Sequence, residues 1–294
     1  MAIDRSQVYL ELTKPRITMM VLLTVAVGYF CSRPATAPPL ALLHVLIGTA
    51  LACSGSGALN QYFERQLDGQ MDRTRFRPLP SRRISSTAAM ALGAALAISG
   101  VLYLALTVNL LAAALNGITV VTYLFVYTPL KRVSSLSTLA GAVPGALPPV
   151  IGWAAASGSL GIGAAVLFGI MFLWQVPHFL AIGWMYREDY ARGGLPMLAV
   201  LDEKGDVTAR QMVLYSLALV PVSLFLTAAG ISGHLYFWCA AVAGAVYFAA
   251  SVAAARARTV AGARRLLLAS VLYLPTVFGA LFLEKLIAAV SHSG

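Results

Sequence analysis

The sequence predicts an all-α, multi-pass membrane helical bundle of about nine transmembrane helices, in a single domain that covers residues 1–294. Hydrophobic residues make up 59% of the chain and charged residues 11%, whereas an ordinary soluble domain carries about 25% charged residues. The mean hydropathy is +0.80. Apolar runs of roughly 20 residues, long enough to cross a bilayer, recur along the whole chain. They are predicted to be helices, because a helix satisfies its own backbone polar groups in lipid.

The apolar runs define the predicted spans in order. They lie at 17–34, 39–58, 88–107, 109–127, 138–156, 160–183, 213–231, 235–254 and 266–288. The third and fourth spans are nearly continuous and are interrupted only near Thr107. The fifth span contains three prolines, Pro144, Pro148 and Pro149. Because broken helices are tolerated where they line a cavity, a kinked helix is predicted there.

Lysine and arginine residues are distributed unevenly between the two sides of these spans. Of the 21, all but Arg33 and Lys285 fall in the N-terminal tail or in the loops after spans two, four, six and eight. The positive-inside rule then predicts a cytoplasmic N-terminus and an external C-terminus, in the cell inner (plasma) membrane. This asymmetry also accounts for the net charge of +10, so that no nucleic-acid partner is needed to explain it.

Acidic residues concentrate in the cytoplasmic loops after spans two and six, which hold eight of the eleven. In the first loop the side chains are spaced four residues apart, as Asn60, Glu64, Asp68 and Asp72. On a helix this spacing produces one drifting stripe that rises about 6 Å per step. Facing carboxylates repel each other, and a bound cation removes that cost. Since Mg²⁺ takes one or two carboxylates and completes its shell with water and phosphate oxygens, the stripe predicts a magnesium site.

Three arginines follow the acidic stripe at alternate positions, as Arg73, Arg75 and Arg77. Their planar guanidinium groups suit bidentate contacts with phosphate. A simpler interpretation is a solvated helix end, whose carboxylates form local ion pairs with neighbours such as Arg65 and Arg73. Asn60 favours the phosphate-binding interpretation, because a strongly polar side chain at or below the membrane surface is costly unless it has a partner.

The cytoplasmic end of span four carries an aromatic residue followed by two cations, Tyr127, Lys131 and Arg132. These residues have two interpretations. They form either a clamp for a diphosphate group or a set of topology-determining cations beside an interfacial tyrosine.

Span six ends in acidic and aromatic residues. Asp189 is a candidate for a second metal site opposite the stripe, or else a helix-end charge beside Arg192. Tyr186 is a further candidate substrate contact. The acidic residues farther along this loop are predicted to be solvated: Asp202, Glu203 and Asp206.

The chain resembles the UbiA-type intramembrane prenyltransferases over roughly residues 10–285, and most closely their heme-prenylating branch. The aspartate-rich signature of that family corresponds to Asn60, Glu64 and Asp68. Glu64 and Gln66 stand where aspartate is usual. The segment most specific to the branch runs from Trp174 through Gln175 and Pro177 to His178.

The resemblance implies a polyprenyltransferase that uses Mg²⁺ and farnesyl diphosphate, and that prenylates protoheme IX to give heme O within the lipid membrane. Metal ligands are implied at Glu64, Asp68, Asp72 and Asp189. Implied contacts with the diphosphate or the heme are Arg73, Arg77, Tyr127, Lys131, Arg132, His178 and Tyr186. Heme A synthase and assembly proteins of a terminal oxidase are implied as partners.

His178 lies inside span six and therefore needs a polar partner. It is interpreted either as a hydrogen-bonded core histidine or as a contact to the iron or a propionate of the heme. Two other functions fit parts of the sequence. One is a sister enzyme with an aromatic acceptor such as a hydroxybenzoate or quinone precursor. The other is a transporter or heme-binding assembly factor without catalysis, which would not need a magnesium-type stripe beside three arginines.

Overall fold

The computed structural model describes residues 5–32 and 39–291, and this part of the chain is built from helices without a β-strand. The α-helices are α1 Arg5–Thr13, α2 Pro15–Ser32, α3 Pro39–Asp68, α4 Ser86–Thr107, α5 Leu110–Val121, α6 Thr128–Leu130, α7 Ser137–Ala146, α8 Pro148–Ser157, α9 Ile162–Met185, α10 Arg187–Arg192, α11 Leu198–Leu201, α12 Asp206–Ala228, α13 His234–Ala257 and α14 Val260–Ser291. A π-helical segment, Thr122–Tyr127, joins α5 to α6. Arg33 lies outside the described residues.

Within the described ranges, nine helical stretches are long and apolar enough to cross a membrane, which confirms the predicted number of spans. They are Pro15–Ser32, Leu40–Asp68, Ser86–Thr107, Leu110–Leu130, Ser137–Ser157, Ile162–Met185, Asp206–Ala228, His234–Ala257 and Val260–Ile287. Large apolar side chains face outward along them, such as Leu106 at 86% exposure and Trp238 at 65%. An apolar outer surface of this kind suits contact with lipid.

Several helices extend beyond their apolar runs. The helix α3 continues to Asp68, past the predicted end at residue 58. The helices α12 and α14 begin at Asp206 and Val260, ahead of the predicted starts at residues 213 and 266. Polar side chains end a hydropathy signal without ending the helix, since the backbone hydrogen bonds continue through them.

The fifth span is broken, which confirms the predicted kink. It consists of α7 and α8, separated at Leu147 directly before Pro148. Leu147 keeps a helical conformation, but Pro148 and Pro149 both lack the N–H that would continue the hydrogen bonds of α7. The neighbouring helix contacts the first half of this span, because Gln175 Nε2 on α9 donates to the carbonyl oxygen of Ala142 on α7 at 2.8 Å.

Glycines allow α3 to approach α4 closely along its length. A Cβ atom on Gly55 would lie 2.4 Å from the backbone nitrogen of Ala97, and one on Gly100 would lie 2.5 Å from that of Ala52. Small residues permit this close backbone contact in membranes, where packing rather than water exclusion holds helices together. The packing positions α3 firmly, and with it the polar side chains at its end.

Buried tyrosines connect the helices of the C-terminal half. Tyr236 donates to the carbonyl oxygen of Ser223 at 2.9 Å, and Tyr247 donates to that of Trp174 at 2.8 Å. The hydroxyl of Tyr273 bonds to the side chain of Ser223. These bonds satisfy phenolic groups that would be costly to bury alone.

Candidate active site

The polar end of α3 carries a buried row of side chains. Asn60, Glu64 and Asp68 are exposed by 3%, 4% and 0%, and they follow each other at one-turn intervals on the same helix. The predicted stripe of four side chains is confirmed for these three. It was wrong for Asp72, because α3 ends at Asp68 and the side chain of Asp72 lies in the following turn, 60% exposed.

Each of the two buried carboxylates on α3 contacts a cation outside that helix, Lys131 from a distant part of the chain and Arg77 from the loop that follows α3. Lys131 Nζ lies 3.1 Å from Glu64 Oε1, and Arg77 Nη1 donates to both oxygens of Asp68 at 2.9 and 2.8 Å. Burial by itself lowers the pKa of Lys131, but Tyr127 and Glu64 beside it outweigh that effect and raise the pKa. The ammonium group is therefore charged at neutral pH.

The alternative of a solvated helix end with local ion pairs was wrong. Arg65 lies over the ring of Tyr62, with 4.5 Å between the guanidinium carbon and the ring centroid. Arg73 lies between the rings of Tyr186 and Tyr190, at 5.5 and 5.8 Å from their centroids. Since the carboxylates of α3 are buried and pair with Lys131 and Arg77 rather than with Arg65 and Arg73, their arrangement depends on tertiary structure.

Lys14 joins this cluster although sequence reasoning assigned it to topology alone. It lies between α1 and α2 with a left-handed backbone, φ 52°, and its Nζ donates to Asn60 Oδ1 at 2.8 Å. Burial, followed by repulsion from Arg77, lowers the pKa of Lys14 to about 8. One signal in the sequence could have found it. Pro15 favours the first turn of a helix and so places Lys14 at the membrane boundary.

Tyr127 and Arg132 make different contacts beside the cluster. The ring of Tyr127 stacks on Tyr123, with centroids 5.5 Å apart, and lies 5.8 Å from Lys131 Nζ. Arg132 donates from Nη2 to the carbonyl oxygen of Phe63 at 2.6 Å and is exposed. Arg132 therefore braces the loop against α3, while Tyr127 lines the site.

The two acidic loops meet at Asp189. Its Oδ1 accepts the backbone N–H of Asp72 at 2.9 Å, and its Oδ2 has a longer contact of 3.5 Å with that of Arg73. Arg192 Nη2 bridges Asp72 and Asp189 at 2.7 and 2.9 Å. Burial by itself raises the pKa of Asp189, but Arg192 and the two backbone N–H groups outweigh it and lower the pKa.

The described residues include no group of three His, Cys, Asp or Glu side chains already gathered for a metal ion. Glu64 and Asp68 nevertheless fit Mg²⁺, because they are buried oxygen donors on adjacent turns whose partners are flexible side chains. A magnesium ion needs one or two protein carboxylates when phosphate and water supply its other ligands.

His178 and Tyr186 lie at different depths of α9. His178 Nδ1 is 2.7 Å from Ser270 Oγ, and its ring stacks on Trp174 with centroids 4.9 Å apart. Two turns farther on, Tyr186 ends the helix and contacts Arg73. The contacts of His178 are those of a hydrogen-bonded core histidine, and its heme contact stays a prediction.

The remaining acidic residues of the second loop divide into two kinds. Glu203 and Asp206 are exposed, as predicted, and Asp206 pairs with Arg258. The prediction was wrong for Asp202, which is half-buried and accepts the backbone N–H of Thr208 at 2.7 Å in the first turn of α12. Burial by itself raises the pKa of Asp202, but hydrogen bonds from Thr208 and from the backbone of Gly205 and Val207 together outweigh it and lower the pKa.

Comparisons with known proteins agree with this architecture. Residues 21–283 match the model of the UbiA prenyltransferase family. A protoheme IX farnesyltransferase of Solibacter usitatus is 49% identical over 286 residues, which cover 94% of this chain and 98% of the relative. Another, of Koribacter versatilis, is 41% identical over 289 residues, 95% of this chain and 93% of the relative. The chain therefore belongs to the UbiA prenyltransferase family.

Solved structures share the fold at low sequence identity. A structure of digeranylgeranylglyceryl phosphate synthase aligns with a TM-score of 0.82 at 17% identity, over 96% of this chain and 99% of that one. A UbiA homologue from Archaeoglobus fulgidus, solved with DMAPP and Mg²⁺ bound, aligns with a TM-score of 0.67 at 15% identity, over 93% and 98%. The all-α membrane bundle thus has the same fold as these solved structures.

Proposed function

We propose that this protein transfers the farnesyl group of farnesyl diphosphate to a vinyl group of protoheme IX to make heme O. The observation that carries the donor half is the buried cluster at the end of α3, in which Lys14, Lys131 and Arg77 surround two carboxylates. The acceptor is supported by the relatives named protoheme IX farnesyltransferase, which match over nearly the whole chain.

The cations of this cluster suit a diphosphate leaving group. As the allylic C–O bond breaks, both electrons go to the leaving oxygen, and fixed cations stabilise the charge that develops there. Lys131 and Arg77 face that charge, with Lys14 held beside them by Asn60. Mg²⁺, held by Glu64, Asp68 and Asp189 with Asp72 at the edge, would supply Lewis-acid activation of the same group when bound.

The apolar bundle beneath the cluster suits the rest of the reaction. The farnesyl carbon accepts the electron pair of the vinyl group, and water then adds at the porphyrin side with loss of a proton. Apolar membrane helices around the cluster would keep stray water from the allylic cation before the acceptor captures it. Arg73, Tyr127, Tyr186, Arg132 and His178 remain candidate contacts for the two substrates.

The proposal includes a location. By the positive-inside rule, the N-terminus and the α3 cluster would lie on the cytoplasmic side of the inner (plasma) membrane. The proposal treats residues 1–294 as one domain. Heme A synthase or terminal oxidase assembly proteins would receive the product there.

One experiment tests the proposal against its alternatives. Membranes that contain the protein are incubated with farnesyl diphosphate, Mg²⁺ and either protoheme IX or a hydroxybenzoate, and the products are identified by mass spectrometry. We expect the hydroxyethylfarnesyl product in the reaction with protoheme IX, and no prenylated product in the reaction with the hydroxybenzoate. Prenylation of the hydroxybenzoate instead would establish an aromatic acceptor. Heme binding without product in either reaction would indicate a non-catalytic heme carrier.

A further inference from the structure

Thr128 connects the π-helical segment to Asn60. It is 2% exposed, and its Oγ1 donates to the carbonyl oxygen of Tyr123 at 2.8 Å. Asn60 Nδ2 donates in turn to Thr128 Oγ1 at 3.3 Å. The other end of the same amide, Asn60 Oδ1, accepts from Lys14 Nζ at 2.8 Å. Four residues from three parts of the chain thus form one continuous hydrogen-bonded row.

The direction of every bond in this row follows from chemistry. The carbonyl of Tyr123 can only accept, so the hydroxyl proton of Thr128 must point to it. Thr128 Oγ1 then offers a lone pair to Asn60, which must present its NH₂ group there. The carbonyl end of the amide is left facing the ammonium of Lys14. Thr128, whose oxygen accepts here, and Lys14, which can only donate, therefore determine together which way the Asn60 amide is turned.

The π-helical segment produces this arrangement. The backbone N–H of Thr128 bonds to the carbonyl of Tyr123, so that this oxygen accepts both donors of one residue. Pro129 follows directly and has no N–H to continue a regular α-helical pattern. Single π-turns of this kind inside helices occur frequently at functional sites.

We propose that Thr128 is a positioning residue of the diphosphate site, which acts through Asn60 to hold Lys14 beside Arg77 and Lys131. The inference rests on the proposed function in one respect, that this cluster binds a diphosphate. Without the hydroxyl, the Asn60 NH₂ group loses its acceptor, and the amide is no longer anchored at that end. The amide can then move with the ammonium, and Lys14 loses its fixed place in the cluster.

The experiment measures binding of inorganic pyrophosphate with Mg²⁺ to the detergent-solubilised protein, together with the KM for farnesyl diphosphate. Thr128→Val keeps the shape and removes the hydroxyl, and we expect about tenfold weaker binding and a similarly raised KM, as for a lost hydrogen bond to a charged network. Thr128→Ser should restore most of the affinity. In the Asn60→Ala background, Thr128→Val should add no further loss.

A matched control lies in the same π-helical segment. Thr122 donates its hydroxyl to the carbonyl oxygen of Ile118 at 2.6 Å, within its own helix. Thr122→Val should therefore leave pyrophosphate binding unchanged.

The outcomes separate this inference from the proposed function. Wild-type affinity in Thr128→Val, equal weakness in Thr128→Ser, or equal weakness in Thr122→Val would overturn the positioning role. Failure of the wild-type protein to bind pyrophosphate would overturn the diphosphate site and the inference together. If Thr128→Val weakens binding but no heme product forms, the inference holds and the acceptor is wrong.

Discussion

The carboxylates of α3 and the carboxylate of Asp189 are both buried, but they are held in different ways. Glu64 and Asp68 accept hydrogen bonds from the long side chains of Lys131 and Arg77. Asp189 accepts the backbone N–H of Asp72 and is braced by Arg192. One region is therefore held by side chains, and the other by the main chain of the neighbouring loop.

This difference indicates different tasks. A lysine or arginine side chain can turn toward an incoming diphosphate and release its carboxylate to a metal ion. A backbone N–H cannot leave Asp189 unless the whole loop moves. We therefore expect the α3 carboxylates to exchange partners during the reaction, and Asp189 to hold the two loops together while its Oδ2 atom contributes to the metal site.

The largest effect is expected at Asp68. In Asp68→Asn the site loses a negative charge, and Arg77 loses its ion pair across both carboxylate oxygens. We expect turnover to fall at least about a hundredfold, while the protein remains folded in a detergent melting assay. Asp206→Asn, an exposed carboxylate paired with Arg258, is the matched control. Full activity in Asp68→Asn would remove the metal-ligand role.

A smaller effect is expected from pH at Lys14. Because the pKa of Lys14 is lowered to about 8, its ammonium loses the proton as the pH rises through that value. The KM for farnesyl diphosphate should therefore rise up to about tenfold between about pH 7 and pH 9. Lys14→Arg should abolish this rise, since arginine stays protonated throughout. The same pH dependence in both proteins would show that another group titrates.

An effect of similar size, on turnover rather than on KM, is expected at Asp189. Asp189→Asn should accelerate hydrogen exchange at the amides of Asp72 and Arg73, and it should lower turnover about tenfold, less than Asp68→Asn. Because the pKa of Asp189 is lowered, the loop contact is complete at neutral pH and weakens only as the pH falls below about 4. Glu188→Gln, at an exposed neighbour, is the control. Unchanged exchange in Asp189→Asn would contradict the bracing role.

The smallest effect is expected at Asp202. Asp202→Asn should leave turnover unchanged and stability nearly so, because asparagine also accepts a backbone N–H at the start of a helix. Asp202→Ala should lower the free energy of unfolding by about 1 kcal/mol. Thermal unfolding and turnover of the two variants measure this. An inactive Asp202→Asn enzyme would place this residue in the site.

Much of the fold could be predicted from the sequence because the governing signals are local. An apolar run of the right length specifies a membrane helix wherever it occurs, and this identified the nine spans found in the described residues. The spacing of Asn60, Glu64 and Asp68 likewise depends only on the helical period. Asp72 is not part of the stripe because α3 ends at Asp68. The contacts that α3 makes with neighbouring segments decide where it ends.

The partners within the site could not be predicted in the same way. Lys14 and Arg192 resemble every other topology-determining cation in the sequence. The contacts of Lys14 with Asn60 and of Arg192 with Asp72 exist because segments far apart in the chain pack side by side. Hydropathy and spacing carry no information about which helices become neighbours.

The sequence by itself determined the class of this protein, its membrane helices and the buried carboxylate face of α3, since these follow from composition and from a period of a few residues. The tertiary structure decided which cation faces which carboxylate, where the two loops meet and how Thr128 anchors the side-chain amide of Asn60. These are contacts between residues as many as 120 positions apart, and they form only when glycine-lined surfaces and a broken helix bring the spans together.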